Sequence, residues 1–121
     1  MISVIAKPGA VNLRSFHIGV DLGQRVDHTA LVVVEQQVVC TSRRSSVTFE
    51  FERERKLIVR LVERVRLGQG YQDVVSEVSR LTHCEELSGG TVTTAVDATG
   101  LGIVVSEDLR RQRLRGSCIR W

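Results

Sequence analysis

The spacing of apolar residues in the first half of the chain predicts strands. Segments rich in β-branched and other apolar residues occupy residues 16–23, 30–40, 47–53 and 56–67. In the third segment Val47, Phe49 and Phe51 alternate with polar residues, and are therefore expected to share one face of a strand. The fourth also fits a helical spacing, although its β-branched content and abrupt end favour a strand. The first two strands are separated by a short turn, so they should pair antiparallel.

The second half of the chain alternates between helical and strand patterns. A helix is predicted over residues 71–87, a strand over 91–100, a second helix over 101–114 and a last strand over 116–121. The apolar face of the first helix consists of Tyr71, Val74, Val75, Val78 and Leu81. The apolar face of the second consists of Leu101, Val104, Val105 and Leu109.

This succession predicts an α/β protein with a mixed sheet. Three antiparallel strands come first, and alternating helices and parallel strands follow, with the helices on the faces of the sheet. Such a succession is what the RNase H-like fold requires. Residues 1–15 lack a regular pattern and are expected to form an arm, and residues 16–121 form the domain. Exposed strand edges would favour pairing with a second copy, giving a homo-oligomer.

Composition narrows the class of protein only slightly. The chain has 121 residues and a net charge of +3, and all but two of its 17 basic residues are arginine. Arginine binds phosphate bidentately, although an arginine-rich solvated surface explains the same count. Three cysteines without metal or redox spacing indicate reduced thiols in a cytoplasmic protein. No signal peptide and no apolar run of about 20 residues are present, so no membrane partner is expected.

Two aspartates occupy matching positions in the pattern. Asp21 in GVDLG and Asp97 in AVDATG each follow an apolar run and precede a turn that contains glycine. A helical crossover between their strands permits a parallel arrangement, with both carboxylates at one edge of the sheet. Paired carboxylates are hard oxygen ligands suited to Mg²⁺ or Mn²⁺, and two such ions support phosphodiester hydrolysis. The alternative is that each aspartate simply ends its strand or caps the following turn.

Glycines and arginines near these acids suit a phosphate backbone. The glycines expected to leave room for it are Gly23, Gly100 and Gly102. A basic run that could follow a DNA backbone comprises Arg110, Arg111, Arg113 and Arg115. A solvated helix surface is an equal alternative for that run. The low aromatic content of 4% argues against binding of single strands by base stacking.

Three segments together resemble the nuclease domain of phage terminase large subunits. They are GVDLGQRVDHTALVVVE, LGQGYQDVVSEVSRL and TAVDATGLGIVVSEDLRR. The similarity extends over roughly residues 16–121, nearly the whole chain. It implies an RNase H-like, metal-dependent endonuclease that cuts double-stranded phage DNA during packaging.

The resemblance also implies roles for single residues. Asp21 matches the first-strand metal ligand, and Asp97 matches the acid at the end of the fourth strand, both binding Mg²⁺ or Mn²⁺. Asp27, in the Asp-x-Thr-Ala position, would be an accessory ligand, or it could cap the turn with its own side chain. The family has a third acid after the fifth strand, but the chain ends at Trp121, where that strand would end. The ATPase phosphate-binding loop is also missing from the sequence.

These departures leave several interpretations open. The chain could be a fragment, a remnant gene of a decayed prophage, or a stand-alone descendant, and its nuclease activity could be impaired. A non-catalytic interaction module with the same fold is the main alternative. A nucleotide-binding fragment of the actin and Hsp70 class also opens with a strand ending in Asp-x-Gly, but 121 residues are too few for its other segments.

Overall fold

A computed structural model describes residues 11–23, 28–65, 70–97 and 102–120. The elements are β1 (Val11–Asp21), β2 (Ala30–Arg44), β3 (Phe51–Arg64), α1 (Tyr71–Thr82), a 3₁₀ turn (Glu85–Leu87), β4 (Thr91–Val96), α2 (Gly102–Arg111) and β5 (Ser117–Arg120). The first strand starts at Val11, five residues earlier than the sequence pattern indicates, so part of the predicted arm belongs to β1.

The five strands form one mixed sheet in the order β3-β2-β1-β4-β5. β2 runs antiparallel to both of its neighbours, β1 and β3. β1 and β4 are parallel, as are β4 and β5. Parallel neighbours need a crossover connection, which α1 supplies before β4 and α2 supplies before β5. The α/β class, the antiparallel pairing of the first two strands and the parallel pairing of β1 with β4 are therefore confirmed.

The sequence predicted helices on the faces of the sheet, and both described helices pack on the same face. α1 buries Val74, Val75, Val78 and Leu81 as predicted, while Tyr71 is half-buried. These side chains join buried residues of β1, β2, β4 and α2 in a single core. Among the described helices, none is long and apolar enough to cross a membrane.

The buried side of α2 differs from the predicted one. Val105 and Leu109 are fully buried, but Val104 is 56% exposed and Leu101 lies outside the described residues. Gly102 and Ser106 lie against the core instead. The Ser106 hydroxyl donates to the carbonyl oxygen of Ile103 at 2.8 Å, so this polar group is buried with its hydrogen bond made.

The two strands predicted over residues 47–53 and 56–67 are one long strand, β3, that begins at Phe51. Val47 and Phe49 belong to the β2–β3 turn, and their predicted position on one face of a strand is wrong. Ser45 organises this turn: its carbonyl oxygen accepts from the Phe49 amide, and its hydroxyl accepts from the Val47 amide. Phe49 has a φ of 60°, an unusual value for a residue with a side chain.

β5 approaches β4 closely through Gly116. This residue has a φ of 86°, a conformation that glycine adopts at little cost. A Cβ atom there would overlap the carbonyl oxygen of Val92. Glycine at this position therefore allows the chain to turn from α2 into the last strand, where Ser117 pairs with Thr93.

A buried carboxylate interrupts the apolar helix-side face. Glu35 on β2 is 2% exposed and pairs with Phe16, five positions before Asp21 along β1. The Nε atoms of Arg14 and Arg60 each lie 2.6 Å from one of its two oxygens, and Gln37 donates a hydrogen bond of 2.9 Å. Arg60 is the unpaired residue of a β-bulge in β3, a feature that re-aims side chains.

The charge on Glu35 is favoured in the folded protein. Burial by itself raises the pKa of this carboxyl. The hydrogen bonds from Gln37 and Arg60, together with the charges of Arg60 and Arg14, outweigh burial, and the pKa of Glu35 lies below its ordinary value. The folded state therefore favours the ionised form of this residue.

Candidate functional site

The two aspartates singled out by the sequence end adjacent parallel strands. Asp21 is the last residue of β1, and Asp97 directly follows β4. The last residues paired between these strands are Val20 and Val96, so each aspartate is one position beyond the same pair. Backbones of neighbouring strands lie about 5 Å apart. The fold thus places both acids at the same edge of the sheet, as their positions in the sequence predict.

Asp21 belongs to the sheet face opposite the helices. Val20 is buried in the core, and successive strand residues point to opposite faces, so Asp21 is directed away from the helices. The residue is exposed, whereas Asp97 is half-buried. The exposed carboxylate of Asp21 is accessible to a ligand that approaches from this face, which we call the open face.

A cation lies in the same row of the sheet. Asp21 pairs with Ala30, and Ala30 pairs on its other side with Arg64, the last residue of β3. Directly paired residues share a face, so Arg64 is two strands, or about 10 Å, from Asp21 on the same face. No local pattern singles out Arg64, because its place in this row depends on the pairing of Ala30 with a residue more than 30 positions later in the chain.

The position of Asp97 depends on Gly102. A Cβ atom at Gly102 would overlap the carbonyl oxygen of Asp97, so the first turn of α2 packs directly on the end of β4. The sequence suggested that this glycine leaves room for a phosphate. Gly102 is instead buried, and the space is taken by the protein's own backbone. Gly100 lies outside the described residues, and Gly23 donates its amide to the Thr29 hydroxyl at 3.0 Å.

Thr29 connects the β1–β2 turn to β3. It is buried, and besides accepting from Gly23 it offers its carbonyl oxygen to the amide of Val65 at 2.7 Å. This threonine belongs to the Asp-x-Thr-Ala segment, where it bonds both Gly23 and Val65. Asp27, the weaker predicted ligand, lies outside the described residues.

The donor atoms at this edge suit a hard divalent cation. Carboxylate oxygens are the ligands that Mg²⁺ and Mn²⁺ prefer, and Asp21 and Asp97 supply two such groups. Within the described ranges no group of three or more His, Cys, Asp or Glu side chains is close enough to hold a metal ion. Two carboxylates thus form the part of the candidate site that the described residues contain.

The basic run is not at this edge. Arg110 and Arg111 occupy the last turn of α2, whereas Asp97 precedes its first turn, about 14 Å away along the helix axis. Both arginines and Arg113 are exposed. Arg111 lies 3.8 Å from Asp108, which also accepts a hydrogen bond from Gln72 of α1. A nucleic-acid role for this run stays a prediction, and it would concern a surface other than the two acids.

Arg115, the fourth member of the basic run, has a structural role. Its guanidinium donates to the carbonyl oxygens of Leu87, Ser88 and Gly90, and its amide donates to the Thr82 hydroxyl. These bonds tie the segment before β5 to the turn between α1 and β4.

We expect Arg115→Ala to lower the free energy of unfolding by about 1 kcal/mol, because the released carbonyls are close to the surface and can be hydrated. Chemical denaturation would measure it. Arg113→Ala is the matched control and should change stability by less than about 0.5 kcal/mol. Equal effects of the two substitutions would contradict the assignment.

Comparison with protein-family models, with curated protein sequences and with solved structures found no match to this chain.

Proposed function

We propose that this chain is a metal-dependent DNA endonuclease domain of the RNase H-like type found in terminase large subunits. The observation that carries the proposal is the placement of Asp21 and Asp97 one position beyond the same residue pair of two adjacent parallel strands. The carboxyl ends of parallel strands are where α/β sheets gather their ligands.

The strand succession supports the same proposal. Three antiparallel strands precede two parallel ones, and helices form both crossover connections. This is the succession expected of an RNase H-like domain, and in it Asp21 and Asp97 each follow the same residue pair of β1 and β4.

In the proposed site the residues of the chain bind the metal ions and position the DNA. Asp21 and Asp97 would hold Mg²⁺ or Mn²⁺ through their carboxylates, and Arg64 would bind a backbone phosphate of the DNA strand that crosses the open face. When bound, two such ions supply Lewis-acid stabilisation and an activated water for phosphodiester displacement. The close packing of α2 on Asp97 limits how far the backbone of that residue can move.

The test is nicking of supercoiled plasmid by the protein with Mn²⁺. We expect the intact chain to nick, and Asp21→Asn and Asp97→Asn each to slow the reaction about 100-fold or more, because each weakens a ligand of the metal ions that stabilise the transition state. Mn²⁺ binding, measured by calorimetry, should weaken in parallel. Asparagine keeps the size of aspartate, so the fold should be retained.

The matched control is Glu107→Gln, an exposed acid on α2 that should leave both nicking and Mn²⁺ affinity unchanged. Nicking that persists in both aspartate variants would overturn the proposed site. An intact chain that binds Mn²⁺ but does not nick would overturn the nuclease and favour the second candidate.

The second candidate is a non-catalytic module with the same fold, such as a prophage remnant. The observation that favours it is that the described residues contain two carboxylates at the sheet edge and no cluster of three metal ligands. A module of this kind would keep its fold and lose the reaction.

A further inference from the structure

The sheet face opposite the helices carries an apolar strip on its outermost long strand. Leu57, Val59 and Val62 of β3 are 66%, 61% and 71% exposed. Val59 and Val62 pair with Val34 and Val32 of β2, and paired residues share a face. We name these five residues the β3 strip. Exposed apolar residues scattered singly are common, but neighbouring ones mark interaction surfaces.

Among the described residues of β3, the charged side chains that flank the β3 strip on its own face are all positive. Arg53 and Arg55 alternate with Leu57 and Val59 on the same face, before the strip, and Arg64 follows it. The acids of β3 alternate onto the helix-side face: Glu54 pairs with the buried Val39, and Glu63 pairs with the buried Leu31.

The strand next to the strip does not alter this charge. On β2 the open-face positions between residues 30 and 38 are Ala30, Val32, Val34, Gln36 and Val38, which are all uncharged. Within the described residues of β2 and β3, the open face therefore combines an apolar centre with an arginine border. Its acids, Asp21 and Asp97, lie on or beyond the other strands at one end of the sheet.

This combination of charge and hydrophobicity limits the kinds of partner that can bind the β3 strip. A second copy that packed strip on strip would bring arginine borders together, and like charges repel. Duplex DNA would satisfy the arginines but would leave Leu57, Val59 and Val62 without apolar contacts. An acidic partner with its own apolar face satisfies both the centre and the border.

The dimensions of the strip fit a helix. From Leu57 to Val62 β3 rises about 17 Å. An α-helix covers that length in about 11 residues, or three turns. An amphipathic helix of this length presents an apolar stripe of matching extent and carries charged residues along its sides.

We propose that the β3 strip is a docking site for an acidic amphipathic helix of another protein. The apolar stripe of that helix would cover Leu57, Val59 and Val62, and its flanking carboxylates would pair with Arg53 and Arg55. The proposal does not rest on the nuclease proposal, because its docking contacts include neither the two aspartates nor Arg64.

The test uses two designed, staple-locked helical peptides that share a leucine stripe. One carries glutamates along its flanks and the other carries lysines. Fluorescence anisotropy of the labelled peptides with the whole chain should show the glutamate peptide binding at least about tenfold more tightly than the lysine peptide. The preference should decrease as salt is added, because the flanking charges are exposed.

Variants of the protein locate the binding. Val59→Ser should weaken binding of the glutamate peptide by about tenfold or more. The double variant Arg53→Ser with Arg55→Ser should bind the two peptides equally well. Val47→Ser is the matched control, since Val47 is 83% exposed but lies in the β2–β3 turn, and it should change neither affinity. All these positions are exposed, so thermal melts should agree with the unsubstituted chain.

Several outcomes would overturn the docking proposal. Equal affinity for the two peptides, or binding unaffected by Val59→Ser, would rule out this surface. Co-sedimentation with vesicles of phosphatidylcholine and phosphatidylglycerol that Val59→Ser abolishes, without peptide binding, would identify a lipid surface instead. A dimer in sedimentation analysis that Val59→Ser dissociates would identify a second copy.

Discussion

Replacing Gly102 by alanine is expected to lower the free energy of unfolding by about 2–3 kcal/mol. The added methyl group would overlap the carbonyl oxygen of Asp97, a backbone atom that cannot rotate away like the end of a side chain. Overpacking of this kind costs about 1–3 kcal/mol, and the gain in helix propensity, at most about 1 kcal/mol, offsets only part of it. Relief requires α2 to move away from β4.

Gly102→Ala should also weaken metal binding at the proposed site. A shift of α2 or of the Asp97 backbone would change the separation of the two carboxylates, so Mn²⁺ affinity should decrease together with stability. Denaturant titration and calorimetry would measure the two effects on one protein preparation.

Gly19→Ala provides the comparison for Gly102. Gly19 lies on β1 two positions before Asp21, and a Cβ atom there would be 4.0 Å from the carbonyl oxygen of Val32, an ordinary contact. This variant should be as stable as the original chain or slightly more stable, because alanine suits a strand interior better than glycine. A Gly102→Ala protein with unchanged stability would contradict the packing of α2 on Asp97.

Replacing Glu35 by glutamine is expected to destabilise the protein by about 2–3 kcal/mol at neutral pH. The amide keeps the size of the side chain but removes the charge that Arg14 and Arg60 bind. Hydrogen bonds to charged groups contribute about 1.5–3 kcal/mol each, and both arginines are partly exposed, so water compensates some of the loss. Chemical denaturation at pH 7 would measure the change.

The effect of Glu35→Gln should depend on pH. The pKa of Glu35 is lower in the folded protein than the ordinary pKa of glutamate, which is about 4.3. This carboxylate therefore stabilises the fold at pH values above that ordinary pKa. The stabilisation is lost as the pH falls through the lower pKa of the folded state. The stability difference between the two proteins should therefore shrink when denaturation is repeated at acidic pH.

Glu54→Gln serves as the control for Glu35, since Glu54 is an exposed residue of the neighbouring strand. Its effect should remain within about 0.5 kcal/mol at every pH. A difference between Glu35→Gln and the original chain that is the same at neutral and acidic pH would show that the charge of Glu35 is not what stabilises the fold.

Local patterns predicted most of the secondary structure. Two patterns can be recognised from neighbouring residues alone, without tertiary contacts. They are the β-branched runs of β1 and β2 and the regular spacing of Val74, Val78 and Leu81. The errors occurred where two local signals compete. Phe49 alternates like a strand residue, but the hydrogen bonds of Ser45 close a turn there, and the strand starts after it.

The candidate site could be predicted from the sequence only in part. Asp21 and Asp97 stand out because aspartate is rare at the end of an apolar strand. Arg64 had no such signal, since it shares a row of the sheet with Asp21 only through Ala30 and two strand pairings. Gly102 was selected as a glycine near the acids, but its contact with the Asp97 carbonyl depends on how α2 packs against β4.

Local patterns were enough to predict the class of the fold, the antiparallel pairing of the first strands and the two aspartates that end adjacent strands. These features follow from periodicity and connection length, which are properties of contiguous segments. The tertiary structure alone decided that both helices cover one face, that Arg60 reaches Glu35 through a bulge, and that Leu57, Val59 and Val62 lie exposed beside arginines. Those features arise from contacts between residues distant in the chain, and a local pattern carries no information about which distant segment will cover it.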